Sequence, residues 1–256
     1  MKGKYIIALL LMVAGVRTMT AQKVVLHMAN NQKFVCDISR LDSITIGYDI
    51  EEHEWVDLGL PSGTLWATCN IGANSPEEYG DYFAWGETIG YNGGKTRFDW
   101  FTYKHCDGSM KTMNKYCTMS EYGTVDNITE LEPADDAATV NWGSGWQMPS
   151  SDQFAELLNS SYTTAKMTTF NSEYGYKITS NTNGNSIFLP AAGVRTDSEL
   201  SYAGKTGQYW SRTLHEHFSY GGNTCAFSFL SNDIWSDRQS RCCGLPVRPV
   251  RRVYTR

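Results

Sequence analysis

The segment His215-Glu216-His217 is the one short pattern in this 256-residue chain that resembles a metal site. Residues two apart on a β-strand share a face, so both imidazoles could reach a single ion. No third ligand is identifiable, and an exposed polar loop is the simpler interpretation. We therefore predict that the protein uses no metal and no other cofactor.

Covalent catalysis would require a serine or cysteine that is activated by a neighbouring base. The chain has no G-x-S-x-G turn, and the adjacent pair His105-Cys106 would point to opposite sides of an extended strand. The sequence also lacks a phosphate-binding P-loop, a dinucleotide-binding glycine pattern and the H-E-x-x-H pattern. We predict a protein that is not an enzyme. An enzyme acting on glycans stays open as the least favoured alternative, because a catalytic carboxylate pair leaves no local pattern.

The seven cysteines have no C-x-x-C spacing, which argues against a four-ligand zinc site. An odd number in an exported chain leaves at least one thiol free or paired with another molecule. Burial as small apolar side chains explains most of them, with room for one disulfide. Cys242 and Cys243 are adjacent and could bridge each other only with strain.

The composition is that of a folded protein rich in aromatic residues, with 41% hydrophobic, 19% charged and 13% aromatic side chains. These fractions exclude a collagen, a coiled coil and a wholly disordered chain. A net charge of -5 without a lysine or arginine block provides no basic surface for nucleic acid. The 8 Trp, 15 Tyr and 23 Gly residues favour a β-rich protein with many loops.

Residues 1–21 have the pattern of a secretory signal peptide, with Lys2 and Lys4 before an apolar run from Tyr5 to Val16. The run is shorter than the roughly 20 residues that span a bilayer. Ala21 suits the position before a cleavage site. The sequence thus predicts an exported protein, periplasmic, at the cell surface or extracellular, with no integral membrane segment in the mature chain.

A small β module is predicted at residues 22–50. Apolar residues alternate from Val24 to Met28 and again from Phe34 to Ile38, on either side of an Asn30-Asn31 turn, and a third short strand is predicted at 43–46. The acidic run at 49–54 is typical of a linker. Such a module buries little surface by itself.

The rest of the chain predicts a larger domain of strands, long loops and a few short helices. Ser150 and Gln153 have the spacing of a capping box at a helix start, and Pro133 precedes a second short helix over 134–140. Asn183-Gly184 marks a hairpin turn between two alternating strands. Residues 88–125 show no sustained period and are predicted to form long ordered loops.

Several strings follow one another through residues 54–252: VDLGLPSG at 56–63, LWATCNIGA at 65–73, EEYGDYFAWGE at 77–87, DDAA at 135–138, WQMP at 146–149, IFLPAAG at 187–193, YWS at 209–211 and VRPV at 247–250. In this order they resemble the Fibrobacter succinogenes major paralogous domain, as found in exported proteins of gut Bacteroidales. The string LDSITI at 41–46 resembles a short β segment at the start of such proteins.

The resemblance implies a fold similar to that of C-type lectins and formylglycine-generating enzymes. Its first and last strands are paired, its helices are few and short, and irregular loops cover one face. The predicted fold class is therefore α+β, with a C-type-lectin-like domain at residues 54–253 behind the small β module.

The resemblance also implies where a ligand would bind. Related folds serve as scaffolds in diversity-generating retroelements, in which residues near the C-terminus vary and bind the ligand. The segments 212–220 and 231–241 lie in that position and are rich in aromatic and arginine side chains, which dominate binding hot spots. The predicted ligand-binding residues are Arg212, Leu214, His215, His217, Phe218, Tyr220, Asp233, Trp235, Arg238 and Arg241.

The leading hypothesis is a non-catalytic binding protein whose C-terminal loops contact a protein or a carbohydrate at the cell surface. A structural or accessory subunit of a surface or fimbrial assembly is one alternative. A variable protein of the retroelement type is another. Ordinary loop variation explains the divergence of these segments equally well.

Overall fold

The computed structural model describes residues 23–27, 33–37, 53–214, 223–230 and 233–252. The chain divides into two compact units, residues 1–49 and 50–256. In the first unit, β1 (Lys23–His27) pairs with β2 (Lys33–Asp37) in antiparallel register, as the alternating pattern predicts. The predicted signal peptide, the strand at 43–46 and most of the acidic linker lie outside the described residues.

Short strands and long loops make up most of the second unit, and the structure is 9% helical and 35% strand. This agrees with the predicted α+β class with long loops. The strands are β3 (Trp55–Asp57), β4 (Thr64–Ala67), β5 (Thr163–Phe170), β6 (Glu173–Ser180), β7 (Ser186–Pro190), β8 (Val194–Thr196), β9 (Glu199–Ser201), β10 (Thr206–Leu214), β11 (Asn223–Leu230), β12 (Asp233–Ser240) and β13 (Val250–Arg252). The helices are α1 (Ala137–Trp142) and α2 (Ser151–Leu157).

The beginning and the end of the second unit meet in one sheet, with the strand order β13-β4-β3. Trp66 on β4 is paired with Val250 on one side and with Val56 on the other. All four residues of β4 are buried, so this strand needs a partner at both edges to satisfy its backbone groups. The last strand therefore joins the sheet of the first strand through β4 between them.

Both short helices begin at a side-chain cap. At α2 the predicted capping box is confirmed, since Ser150 Oγ accepts from Gln153 N at 3.2 Å and Gln153 Oε1 accepts from Ser150 N at 2.9 Å. At α1 the predicted start is wrong by three residues. The helix begins at Ala137, because the Asp136 carboxylate accepts from Thr139 N at 2.9 Å and so fixes residue 136 as the cap.

Residues 88–125 form long loops, as predicted, with only a 3-10 turn at Ser120–Tyr122 among them. Phe98, Tyr103 and Met113 from these loops pack into a buried cluster together with Tyr82 and Cys242. Phe83 forms a single bridge with Leu245. Packing of side chains, rather than a regular ladder, therefore holds this region together.

The sheet β10-β11-β12 lies on an aromatic core. Tyr209, Trp210, Phe227 and Phe229 on these strands are at most 1% exposed. Trp210 Nε1 donates to Phe83 O at 2.7 Å, and this bond connects β10 to the loop region. A buried aromatic side chain whose polar atom is satisfied leaves little freedom for the strand that carries it.

Candidate functional site

The sheet β10-β11-β12 determines how the predicted ligand-binding residues are distributed. β10 ends and β11 begins at one end of this sheet, where Leu214 pairs with Thr224. β11 ends and β12 begins at the opposite end, where Leu230 pairs with both Thr206 and Asp233. The two ends of an eight-residue strand are roughly 23 Å apart. The structure therefore does not bring Asp233 beside the residues around position 214.

The predicted loop at 231–241 is largely a strand. Residues Asp233–Ser240 form β12, which pairs with β11 along its whole length. The polar sequence of this segment shows no alternation and therefore does not predict a strand. Pairing with the backbone of β11 is what makes it one. Because β12 runs back toward Leu214, Arg238 lies at the same end of the sheet as Arg212. We call this end, with Arg212, Leu214 and Arg238, the Arg212 end.

Arg212 forms an ion pair at this end of the sheet. Its Nε donates to Glu130 Oε2 at 3.0 Å, and its side chain is 12% exposed. Within the described residues its Nη1 is buried without a hydrogen-bond partner. Arg238 is exposed on β12. Two guanidinium groups thus belong to one end of the sheet.

Two of the predicted ligand-binding residues are core residues, and for them the prediction of a surface contact is wrong. Leu214 is 2% exposed and packs into the largest buried cluster. Arg241 is also 2% exposed, and its Nη1 donates to Tyr116 O at 2.8 Å while its guanidinium lies 5.3 Å from the Trp85 ring. Burial lowers the pKa of Arg241. It cross-links loops and is not available to a ligand.

The remaining predicted ligand-binding residues are His215, His217, Phe218 and Tyr220, and all four lie outside the described residues. The His215-Glu216-His217 pattern therefore remains a prediction. For Asp233 and Trp235 the structure describes the backbone only. Among the side chains that it describes, no group of three His, Cys, Asp or Glu residues could hold a metal ion.

Free thiols account for every cysteine whose side chain the structure describes. Cys117, Cys242 and Cys243 are buried, and Cys69 and Cys106 are partly buried. Burial raises the pKa of Cys69 and of Cys106 above the ordinary value, which keeps both thiols protonated at neutral pH. These side chains serve as small apolar residues in the core.

Asp135 is a buried titratable group, 4% exposed, whose carboxylate bonds three side chains. Its carboxylate accepts from Lys104 Nζ at 2.6 Å, from Lys115 Nζ at 2.6 Å and from Tyr116 Oη at 2.8 Å. His105 Nε2 lies 3.8 Å away but bonds Gly86 O at 2.9 Å. Burial opposes the ionised form of Asp135, but the hydrogen bonds outweigh it and hold its pKa well below the ordinary value. Asp135 therefore stays ionised and hydrogen-bonded, as expected of a structural cross-link.

We expect Asp135→Asn to lower the free energy of unfolding by about 2 to 3 kcal/mol at pH 7, because it removes charge-assisted hydrogen bonds in a buried site. A carboxylate whose pKa falls on folding stabilises the protein above its unfolded pKa and loses that contribution as the pH drops. The difference from wild type should hold from pH 7 to 5 and narrow below pH 4. Urea titrations at several pH values measure it.

Glu132→Gln is the matched control, since Glu132 also bonds Lys115 but its side chain is 51% exposed. A surface pair of this kind contributes less than about 1 kcal/mol. Equal effects of the two substitutions at pH 7 would contradict a special role for Asp135.

A groove that the sequence did not predict lies between the outer part of sheet β5-β6-β7 and sheet β13-β4-β3, with a volume of about 390 Å³. Phe170 and Phe188 form a tilted ring pair there, with centroids 5.5 Å apart. A search of the β5 sequence for aromatic residues at alternating positions, where side chains face solvent, would have found Phe170, which is 43% exposed. We call it the Phe170 groove. Its lining residues are Val56, Thr68, Pro76, Thr168, Thr169, Phe170, Lys177, Ser186, Ile187 and Phe188.

Comparisons of the chain with models of protein families, with curated proteins and with solved structures each find no match. The resemblance to the major paralogous domain therefore stays a prediction. In the described residues, neither α-helix approaches the length and apolar character that crossing a membrane requires.

Proposed function

We propose that the chain is an exported, non-catalytic binding protein. Its larger unit would be a C-type-lectin-like domain of the major paralogous family that presents the Arg212 end to a protein or glycan partner. One observation carries the proposal: Arg212 and Arg238 lie at the same end of a sheet that buries Tyr209, Trp210, Phe227 and Phe229 in an aromatic core.

The physical basis is the small loss of conformational entropy when the partner binds. Association is weakened by the ordering of side chains and loops, and a rigid base reduces that ordering. Tyr209 donates from its buried hydroxyl to Pro190 O at 2.7 Å, and Trp210 donates to Phe83 O, so the base of β10 is fixed before a partner arrives. Guanidinium groups suit such a surface, because they bind carboxylates in pairs and stack on flat groups.

The pairing of the last strand with the sheet of the first strand supports the lectin-like assignment. A domain whose first and last strands share one sheet can change the turns near its C-terminus without losing its core. The long loops at 88–125 and the two short helices are also of the kind that this fold contains.

The test uses the chain from residue 22 onward. It is screened against immobilised glycans and against purified envelope proteins, and the affinity for each bound partner is measured for wild type and for the Arg212→Ala/Arg238→Ala variant. We expect the double substitution to weaken binding at least about tenfold, as loss of hot-spot arginines does. Arg97→Ala is the matched control, since the Arg97 side chain is 60% exposed and lies in the loop region.

Unchanged affinity in a double variant that melts like wild type would reject the Arg212 end as the site. Release of product from a bound glycan would reject the non-catalytic assignment. A stable complex restricted to copies of this chain or to a pilus subunit would favour an assembly role instead.

A further inference from the structure

The Phe170 groove has the side chains of a carbohydrate site. The Phe188 ring packs against Gly175, so closely that a Cβ at this glycine would be 2.5 Å from Phe188 Cζ. Phe170 packs against Phe188 and remains 43% exposed. An exposed ring that is held in place by a second ring offers an apolar face on which the C–H side of a sugar can stack.

Hydroxyl groups and one lysine surround this aromatic pair. Thr68, Thr168 and Thr169 belong to the groove together with Ser186, and each hydroxyl can both donate and accept. Lys177 supplies the one charged side chain of the lining. A cleft with an apolar floor and a few polar groups at its margins is the usual form of a small-ligand site.

The charge next to the groove indicates an acidic ligand. Lys177 on β6 is directly opposite Lys166 on β5, and both side chains are exposed. Like charges in directly opposed positions destabilise a strand pair. Neither lysine has an ion-pair partner among the described residues. An anionic group bound between them would relieve this repulsion.

Two carboxylates in the neighbourhood have hydrogen-bond partners other than these lysines, while Glu77 Oε2 is buried without a partner among the described residues. Glu77 accepts from Asn171 Nδ2 at 2.7 Å, and Glu173 accepts from Tyr79 Oη at 2.7 Å. The hydrogen bond from Asn171 lowers the pKa of Glu77. These two carboxylates are held by neutral donors, so the two lysines are left to face solvent.

We propose that the Phe170 groove binds a segment of an acidic polysaccharide. A sugar ring stacks on Phe170, its hydroxyls bond the threonines and Ser186, and its carboxylate or sulfate lies between Lys166 and Lys177. No residue of β10, β11 or β12 belongs to this groove. The proposal is therefore independent of the Arg212 end, and either site can fail without the other.

The binding test uses the chain from residue 22 onward with polygalacturonate and with chondroitin sulfate, by isothermal titration calorimetry. We expect at least one to bind, and we expect affinity to fall as salt rises from 50 to 300 mM, because the lysines are exposed. Lys166→Gln/Lys177→Gln should weaken binding about tenfold or more. Phe170→Ala should do the same without changing the salt dependence.

Three comparisons separate this proposal from others. Lys111→Gln, at an exposed lysine outside the groove, should bind like wild type. Methyl-esterified polygalacturonate keeps the sugar but lacks the charge, and poly-glutamate keeps the charge but lacks the sugar. Equal binding of either probe and the acidic polysaccharide would overturn the proposal. So would the absence of binding to both polysaccharides, or full binding by the Phe170→Ala variant.

Discussion

Replacing Arg248 by alanine should lower the free energy of unfolding by about 3 to 5 kcal/mol. Arg248 is fully buried, its Nε donates to Asn70 Oδ1 at 2.8 Å, and its Nη1 donates to Thr68 O at 2.9 Å. Truncation leaves these acceptors without a donor and opens a cavity in the core. Urea unfolding monitored by tryptophan fluorescence gives the loss directly.

Arg97→Ala is the matched control for this experiment. Its side chain is 60% exposed, and its ion pairs with Asp99 and Asp197 lie at the surface. Pairs of this kind contribute less than about 1 kcal/mol. A loss for Arg248→Ala no larger than that of the control would show that Arg248 does not cross-link the core.

The expected effect of Arg248→Ala follows from the closure of the domain. Arg248 is two residues before β13, whereas Asn70 and Thr68 follow β4, so its hydrogen bonds connect segments nearly the full length of the domain apart. Bonds over such a separation are made only when both ends of the unit are in place. The substitution should therefore lower the stability of the whole sheet β13-β4-β3.

Gly193→Ala should destabilise the protein by more than about 3 kcal/mol, or prevent folding. Gly193 has a φ of +68°, and a Cβ there would lie 2.2 Å from Ser201 O and 2.6 Å from Ala203 N. Both obstacles are backbone atoms, which cannot turn away as a side chain can. Thermal unfolding followed by circular dichroism measures the change in melting temperature.

Gly63→Ala separates the cost of the conformation from the cost of the contact. Gly63 also has a φ of +68°, but no atom lies within 4 Å of the added Cβ. Only the left-handed conformation is then unfavourable, at about 1 to 2 kcal/mol. If the two variants lose the same stability, the close approach of the chain at Gly193 is not what requires glycine there.

Gly193→Ala and Gly63→Ala bear on function, because both test the framework that holds the binding surfaces. Gly193 N donates to Thr206 O at 2.8 Å, at the first residue of β10. Distortion at Gly193 would therefore reach the strand that ends at the Arg212 end. Arg238→Ala, at an exposed side chain, should by contrast alter binding while leaving the melting temperature close to wild type.

Local rules predicted those elements whose hydrogen bonds stay within a few residues. The Ser150 capping box and the Asn183-Gly184 hairpin are of this kind, because the bonds that define the box and the turn join groups at most five residues apart. The start of α1 was misplaced, since Pro133 suggested a start at residue 134 and the sequence does not distinguish Asp135 from Asp136 as the cap. Distant contacts distinguish them: Asp136 accepts from Met148 N at 2.9 Å, while Asp135 turns to the lysines.

Charged residues near the C-terminus gave the poorest predictions. Arg241 was predicted to contact a ligand at the surface, yet Arg241 and Arg248 are among the largest fully buried side chains. Nothing in the neighbouring sequence distinguishes them from Arg238, which is exposed. Their acceptors, Tyr116 O and the backbone and side chain near Asn70, are more than 100 residues away in the chain.

The sequence alone determined the period of several strands, the Ser150 cap, the Asn183-Gly184 turn and the mainly β composition, because these depend on side chains that are close together in the chain. The tertiary structure decided which arginines are buried, that residues 233–240 form a strand, and that Phe170, Phe188 and Lys177 share a groove. Burial and convergence depend on which distant segments pack together, and no local spacing encodes that choice.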